Sequence, residues 1–387
     1  MISYELLIAI IFYTLLGIIL FINRKKFEIL DKVFLVYKSK KPIKLMIYLS
    51  KFRIFWKIFS TLAIPVSVFF MFWGMELLID NSFKIILGVS GAGAAPVIPG
   101  VRIPGSPIFV PLLEGIVALI VMAVIHEFSH GIVASMEGIK LKSAGFGFFF
   151  VLPLAFVEPD EKQMNKVSAL ARMRVAASGP FANLTLYFLL MLILSWVFSP
   201  LISMLNIPNG ISILGVEGNS PASDKGIIGN ELITQINGKN ISTIEEFSEE
   251  MKSIHPGDSV LILASGKIFN LTAASHPSNS SKGYLGINLK QSYISKVPII
   301  SPILIWIGNL LWWVALLNFL VGIVNFLPLW LVDGGKIVYD LIGYIITNKK
   351  IQDAIAYLIL TGSSLIFLFN LIGPFIMKSL LILMTFL

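Results

Sequence analysis

The chain has 387 residues, of which 56% are hydrophobic and only 13% charged. A soluble domain averages roughly 45–50% apolar and about 25% charged, so a soluble globular enzyme, a disordered chain and a small disulfide scaffold are all excluded. Cysteine is absent and histidine is limited to His126, His130, His255 and His276. Any metal must therefore be held by imidazole or carboxylate. The net charge is +8, and its basic residues cluster beside apolar runs, which favours anionic lipid over nucleic acid as the partner.

In chain order, the first apolar run, Tyr4 to Ile22, ends at Arg24-Lys25-Lys26 without a small-residue cleavage site. It reads as an anchor rather than a removed signal. Eleven Lys and Arg between positions 24 and 57 face only Glu28 and Asp31. Positive loops remain cytoplasmic, so the N-terminus is expected outside, with a second span, Ile58 to Ile79, returning outward. Gly88 to Pro111 is rich in Gly and Pro and predicts turns or a hairpin.

The third span, Leu112 to Met136, runs inward and carries His126-Glu127-Phe128-Ser129-His130. Two histidines four apart share one helix face and can bind one cation, with Glu127 beside them to take a proton from a metal-activated water. Ionisable groups inside a membrane helix are costly and mark function. Six Lys and Arg between 140 and 174 indicate an inner loop. Within it, Ala144 to Val157 is uncharged but too short to span, and its Gly, Phe and Val content predicts a re-entrant extended segment.

Val175 to Phe198 forms a fourth span containing Ser178-Gly179-Pro180-Phe181-Ala182-Asn183. Gly and Pro there permit a kink and close helix approach. Asn183 must satisfy its amide on a neighbouring helix or a bound substrate, and Asn325 sits similarly in a later span. From 206 to 296 the composition becomes that of a soluble domain, outside by alternation of spans. His255 and His276 fall there and read as surface histidines. The uncharged run Val297 to Val332 exceeds one crossing, with a helix break at Pro328. Asp333 follows at its inner end. Catalytic zinc takes three protein ligands as a rule; HEFSH supplies two, and Asp333 is the preferred third, a helix-capping role being the alternative. One or two spans follow between Ile337 and Leu387. The domains are thus 1–111, 112–205, 206–296 and 297–387, in a polytopic α-helical membrane protein of about six spans with an inserted small α/β domain.

These islands, in this order, resemble the site-2 protease family of intramembrane zinc metalloproteases. HEFSH fits HExxH, SGPFAN fits GPxxN, and NFLPLWLVDGG fits NxxPxxxLDG with Val332 where Leu is frequent. The inserted region, with Ser220-Pro221-Ala222, Asn237-Gly238-Lys239 and Pro256-Gly257-Asp258, resembles a PDZ domain, although Gly229-Asn230 stands where Gly-Asp is commoner. Gly283 to Ile287 is similar to a PDZ carboxylate-binding loop. The resemblance covers about residues 110 to 345. It implies Zn2+ on His126, His130 and Asp333, Glu127 as general base, and Asn183 and Asn325 holding substrate. It further implies single-span membrane protein substrates, trimmed beforehand by another protease, in a cell membrane with the active site toward the cytoplasm and the PDZ-like domain outside. A trimmed C-terminal peptide would suit that domain. The apolar strand through Gly145 and Gly147 is expected to pair with substrate by edge addition. A surface-acting HExxH metalloprotease in quality control, an ion-binding transporter and a scaffold with a vestigial site stay open.

Overall fold

A computed structural model describes residues 4–30, 34–88, 94–103, 108–149, 152–218, 220–276 and 279–384. Contacts divide the chain into two units, residues 1–194 with 309–387, and residues 195–308. Among the described residues, six helices are long and apolar enough to cross a membrane.

The first unit opens with α1 (Tyr4–Ile22), then β1 (Glu28–Leu30), β2 (Phe34–Lys38) and α2 (Lys40–Leu49). The Ser39 hydroxyl caps α2 by accepting the Lys41 N–H, as short hydroxyl side chains do at helix starts. Helix α3 (Arg53–Ile86) runs through Pro65 and is much longer than the span expected from 58 to 79. An apolar surround gives an exposed backbone group no water to bond, so a helix persists past its hydrophobic stretch and through a proline. Of the loop from Gly88 to Pro111, residues 89–93 and 104–107 lie outside the described residues. In the remainder the Gly100 N–H donates to the Val110 carbonyl and the Tyr13 hydroxyl to that of Pro99.

Helix α4 (Leu112–Met136) is followed by β3 (Leu141–Phe149) and β4 (Leu152–Pro159). The short uncharged segment is therefore extended, as its composition predicts, although its Phe150 and Val151 lie outside the described residues. The strand order is β1-β2-β3-β4, antiparallel throughout. This corrects one expectation. Gly145 and Gly147 are paired on both sides, with Lys38 and Val36 of β2 and with Phe156 and Leu154 of β4. A Cβ at Gly147 would stand 2.6 Å from the Leu35 carbonyl oxygen, so glycine there admits the neighbouring strand rather than a substrate. The edge strands are β1 and β4.

After α5 (Glu161–Met164), helix α6 (Ala169–Ile193) begins six residues before the uncharged run, capped by Ser168. This brings Arg172 and Arg174 onto the helix. At Gly179 a Cβ would collide with the His130 ring, so the glycine of SGPFAN lets α6 lie directly on α4. The Ser129 hydroxyl donates to the Ser178 carbonyl at 2.9 Å across the same contact.

In the second unit, α7 (Ser199–Leu205) leads into β5 (Asn206–Val216), α8 (Pro221–Asp224), β6 (Leu232–Ile236), β7 (Lys239–Asn240), α9 (Ile244–Lys252), β8 (Ser259–Ala264), β9 (Lys267–Thr272), β10 (Ala274–His276), β11 (Asn279–Tyr284) and β12 (Ile287–Ser295). The main sheet has the order β12-β5-β6-β8-β9 with β7 on β6, and β10 pairs with β11. Asn237 and Gly238 both have positive φ, the two-residue hairpin geometry that Asn-Gly favours. Ile211, Ile213, Ile233, Ile236, Val260 and Ile262 are buried in one core with Phe247 of α9, the step from Ile233 to Ile236 crossing an irregularity in the β6–β8 pairing.

Helix α10 (Ile300–Phe326) stops two residues before Pro328. Then α11 (Asp333–Ile345) begins, followed by α12 (Lys349–Met384), a single helix that passes through Gly373-Pro374. Cβ atoms at Gly334 and Gly335 would strike the carbonyls of Phe326, Leu327 and Leu329. The Gly pair thus lets the first turn of α11 press onto the loop behind it and fixes where Asp333 points. The Asn370 amide of α12 donates to the Leu78 carbonyl and Ser82 hydroxyl of α3 at 2.9 and 2.8 Å. Arg172 grips Asp340 through three short contacts of 2.5–3.1 Å, joining α6 to α11.

Candidate metal centre

Helical spacing brings His126 and His130 together, and α11 adds Asp333 from more than two hundred residues away. The two Nε2 atoms are 3.1 Å apart, and Asp333 Oδ2 lies 3.1 Å from one and 3.0 Å from the other. His126 and Asp333 are 8% and 6% exposed. Among the described residues this is the group of His and carboxylate atoms close enough to share an ion. A tetrahedral ion with bonds of about 2.0–2.1 Å spaces its ligands roughly 3.3–3.4 Å apart. The observed triangle is a few tenths of an ångström tighter, so small side-chain rotations admit the ion.

The second atom of each ligand is also held. His130 Nδ1 donates to the Val175 carbonyl at 2.7 Å, which leaves the Nε2 lone pair for metal. His126 Nδ1 lies 3.1 Å from the Asn183 amide nitrogen, while Asn183 Oδ1 is buried without a hydrogen-bond partner. Turning that amide over places Oδ1 on an Nδ1–H and again frees Nε2. The orphaned oxygen thus fits a metal-bound His126. Lys336 Nζ donates to Asp333 Oδ1 at 2.9 Å.

Glu127 leaves the same helix toward β4, where Oε2 accepts the Val157 N–H at 3.0 Å. A cavity of about 720 Å³ opens beside the cluster, lined among others by His126, Glu127, His130, Val157, Asn325 and Lys336. Its far wall carries the Arg172–Asp340 pair.

The structure thus brings together His126, Glu127, His130 and Asp333, and places Asn325 on the cavity wall with its amide donating to Val321 of its own helix. It moves two expectations. Asn183 has no exposed surface and backs His126 instead of facing the cavity; Gly145 and Gly147 lie inside a sheet. His255 and His276 belong to the second unit, His255 3.8 Å from Asp258 and His276 with its ring edge-on to Tyr284. Four participants have no counterpart in the sequence reading. Lys336 stands three positions after Asp333, one helical turn along the same face. Asp340 stands seven after it, two turns along that face, and Arg172 had served only as a topological charge. Val157 acts through its backbone, for which no side-chain signal exists.

Comparison with known proteins agrees with this geometry. The description "Peptidase family M50" matches residues 114–369. An uncharacterized protein of Methanocaldococcus jannaschii is 32% identical over 261 residues, covering 66% of this chain and 65% of that protein. A Clostridium acetobutylicum protein named "Putative zinc metalloprotease" is 24% identical over 221 residues, 50% of this chain and 61% of its own. The matches therefore span under two thirds of either relative. Two solved PDZ domains of SdrC-like proteins, from Listeria monocytogenes and Listeria innocua, are 23% and 26% identical over 21% of this chain and 87% and 96% of theirs, each with a TM-score of 0.19. With the family match covering well over half its length and both histidines, Glu127 and Asp333 inside it, the chain belongs to peptidase family M50, the site-2 protease family.

Proposed function

We propose that this protein is an intramembrane zinc metalloprotease that hydrolyses peptide bonds within or near transmembrane segments of other membrane proteins. The observation that carries the reading is the convergence of His126, His130 and Asp333 on one point with Glu127 at the rim of the same cavity. Two imidazoles and a carboxylate are the hard-to-intermediate donor set that suits zinc. A zinc ion held by His126, His130 and Asp333 would supply Lewis-acid chemistry, lowering the pKa of water toward neutrality and polarising a carbonyl. Glu127 takes the proton from the attacking water and passes it to the leaving amine. Val175 and Asn183 hold the imidazoles in the tautomer that ligates through Nε2.

A helical substrate hides its amides in its own hydrogen bonds, so it must be extended locally before attack. The position of β4 at the end of its sheet supports that step. Its Val157 N–H already reaches Glu127, so a strand added to this edge runs past the catalytic carboxylate. The cluster of basic residues between 24 and 57 supports a cytoplasmic active site and an extracytoplasmic inserted domain, which would select substrates already trimmed by another protease, taking a new C-terminus near Gly283 to Ile287.

The test uses purified protein in liposomes with single-span membrane proteins as substrates. Glu127→Gln is expected to keep stoichiometric zinc and to slow cleavage by about 10²–10⁴-fold, whereas Asp333→Ala loses zinc and cleavage together. Zinc retained by Asp333→Ala would refute the ligand set.

A further inference from the structure

The two oxygens of Asp333 are divided between different partners. Oδ2 lies 3.0–3.1 Å from both imidazole nitrogens, while Oδ1 takes a hydrogen bond from Lys336 Nζ at 2.9 Å. This matters because a carboxylate can bind an ion through one oxygen or through both. If Asp333 bound through both, four coordination positions would be filled by protein, and none would remain for water in a tetrahedral site. Catalytic sites keep one position open.

We infer that Lys336 is a positioning residue whose ammonium holds Oδ1 away from the ion, so that Asp333 ligates through Oδ2 alone and the fourth position stays open to water. The inference rests on the metal-protease reading above and assigns a residue to it. The local sequence supports this role. Asp333 is the first residue of α11 and Lys336 lies one turn on, a spacing that places both on one face. Gly334 and Gly335 clamp that turn against the backbone behind it, so the face cannot rotate away from the cavity that Lys336, Asp333 and Glu127 share. A surface lysine beside an aspartate is ordinarily worth little. Here the aspartate is buried, and its second oxygen has a defined alternative destination.

The role separates metal binding from catalysis, which an ordinary salt bridge would not. Lys336→Met keeps the length of the side chain and removes the donor. It should retain metal, with affinity unchanged or increased, because Oδ1 becomes an added ligand and a positive charge has gone. Turnover should fall by about 10–100-fold, the usual cost of removing an outer partner of a metal ligand, with kcat bearing the loss and KM little changed. The direct readout is the visible absorption of the Co2+-substituted protein, whose bands should change when the second Asp333 oxygen takes the place of water. Lys336→Gln should resemble Lys336→Met, and Lys336→Arg should restore both spectrum and kcat.

Identical cobalt spectra for wild type, Lys336→Met and Lys336→Gln would overturn the assignment whatever happens to turnover. Loss of metal from both neutral variants would overturn it as well, since the lysine would then be needed for binding itself. A wild-type protein that takes up no stoichiometric cobalt or zinc would remove the metal reading and the role of Lys336 with it, an outcome distinct from either of the others.

Discussion

The unit with the His-His-Asp cluster and the inserted unit specify their folds by opposite means. In the inserted unit, buried Ile211, Ile213, Ile233, Ile236 and Ile262 alternate with exposed or half-buried residues, and Asn237-Gly238 turns the chain. Apolar residues there say which face is inside. In the first unit the membrane-length helices are mostly apolar at exposed and buried positions alike. Leu113 and Phe188 are exposed, yet Ala118 and Leu190 on the same helices are buried. The helices are oriented by their rare polar groups: Ser129 on Ser178, Asn370 on Leu78 and Ser82, Arg172 on Asp340. Without water to drive apolar surfaces together, small residues and interhelical hydrogen bonds decide which helices meet. The polar residues of one unit thus do the orienting that apolar residues do in the other.

The strongest way to break this contrast is to remove a polar contact from the first unit. Arg172→Met leaves Asp340, 4% exposed, as a buried carboxylate without its partner. Breaking a buried pair from one side typically costs about 3–5 kcal/mol. Since α11 carries Asp333, the loss should appear twice, as a lower melting temperature in detergent and as weaker zinc retention against a chelator. Replacing both partners together, as in Arg172→Met with Asp340→Leu, should recover much of the stability, because the lone buried charge is gone. A single variant as stable as wild type would show that the apolar packing of Ile337 and Val338 alone holds α11.

The complementary change is a cavity in the second unit. Ile262 has no exposed surface, and Ile→Ala in a packed core costs about 2–5 kcal/mol. Ile262→Ala should melt the inserted domain at lower temperature while zinc content and Co2+ absorption stay at wild-type values. Metal lost along with that melting would mean that the two units fold as one.

The same contrast decides what the sequence could tell. The His-His-Asp cluster was legible because chemistry restricts metal-binding groups to a few residue types: two histidines at helical spacing, and one lone acid after a long uncharged run. The spans were legible from length and hydropathy, so α1 and α4 begin and end where their apolar runs do. The ends of α3 and α6 were not, since both helices continue into charged sequence, where capping by Ser168 and pairing of Arg172 decide the boundary. Substrate-facing glycines and Asn183 were misplaced for a related reason. Glycine and asparagine serve equally to admit a neighbouring strand or back a ligand and to meet a substrate, and only the three-dimensional partners distinguish these uses. Gly147 meets Leu35, and Asn183 meets His126. Lys336 was invisible because a lysine after a helix start is commonplace; the division of the Asp333 oxygens is what gives it meaning.

The smallest effect sharpens the contrast from the side of local structure. Helix α9 starts with a reciprocal cap, in which the Thr243 hydroxyl accepts the Glu246 N–H and the Glu246 carboxylate accepts the Thr243 N–H. Thr243→Ala removes one arm and should cost about 1 kcal/mol. Phe247, the fifth residue of the capped stretch, is the residue of α9 buried in the domain core, so loosening the cap loosens that anchor. Hydrogen exchange should therefore rise first at the amides of Glu245 to Phe247 and leave the β5 and β12 ladder protected. In α4 the N-cap is Pro111 and makes no side-chain cap bond, yet the helix is long and apolar throughout. A cap matters where a helix is only nine residues long and faces water, because few backbone bonds share the cost of the end. If Thr243→Ala changed exchange no more than a surface substitution outside any element, local capping would contribute nothing here and Phe247 alone would fix the helix.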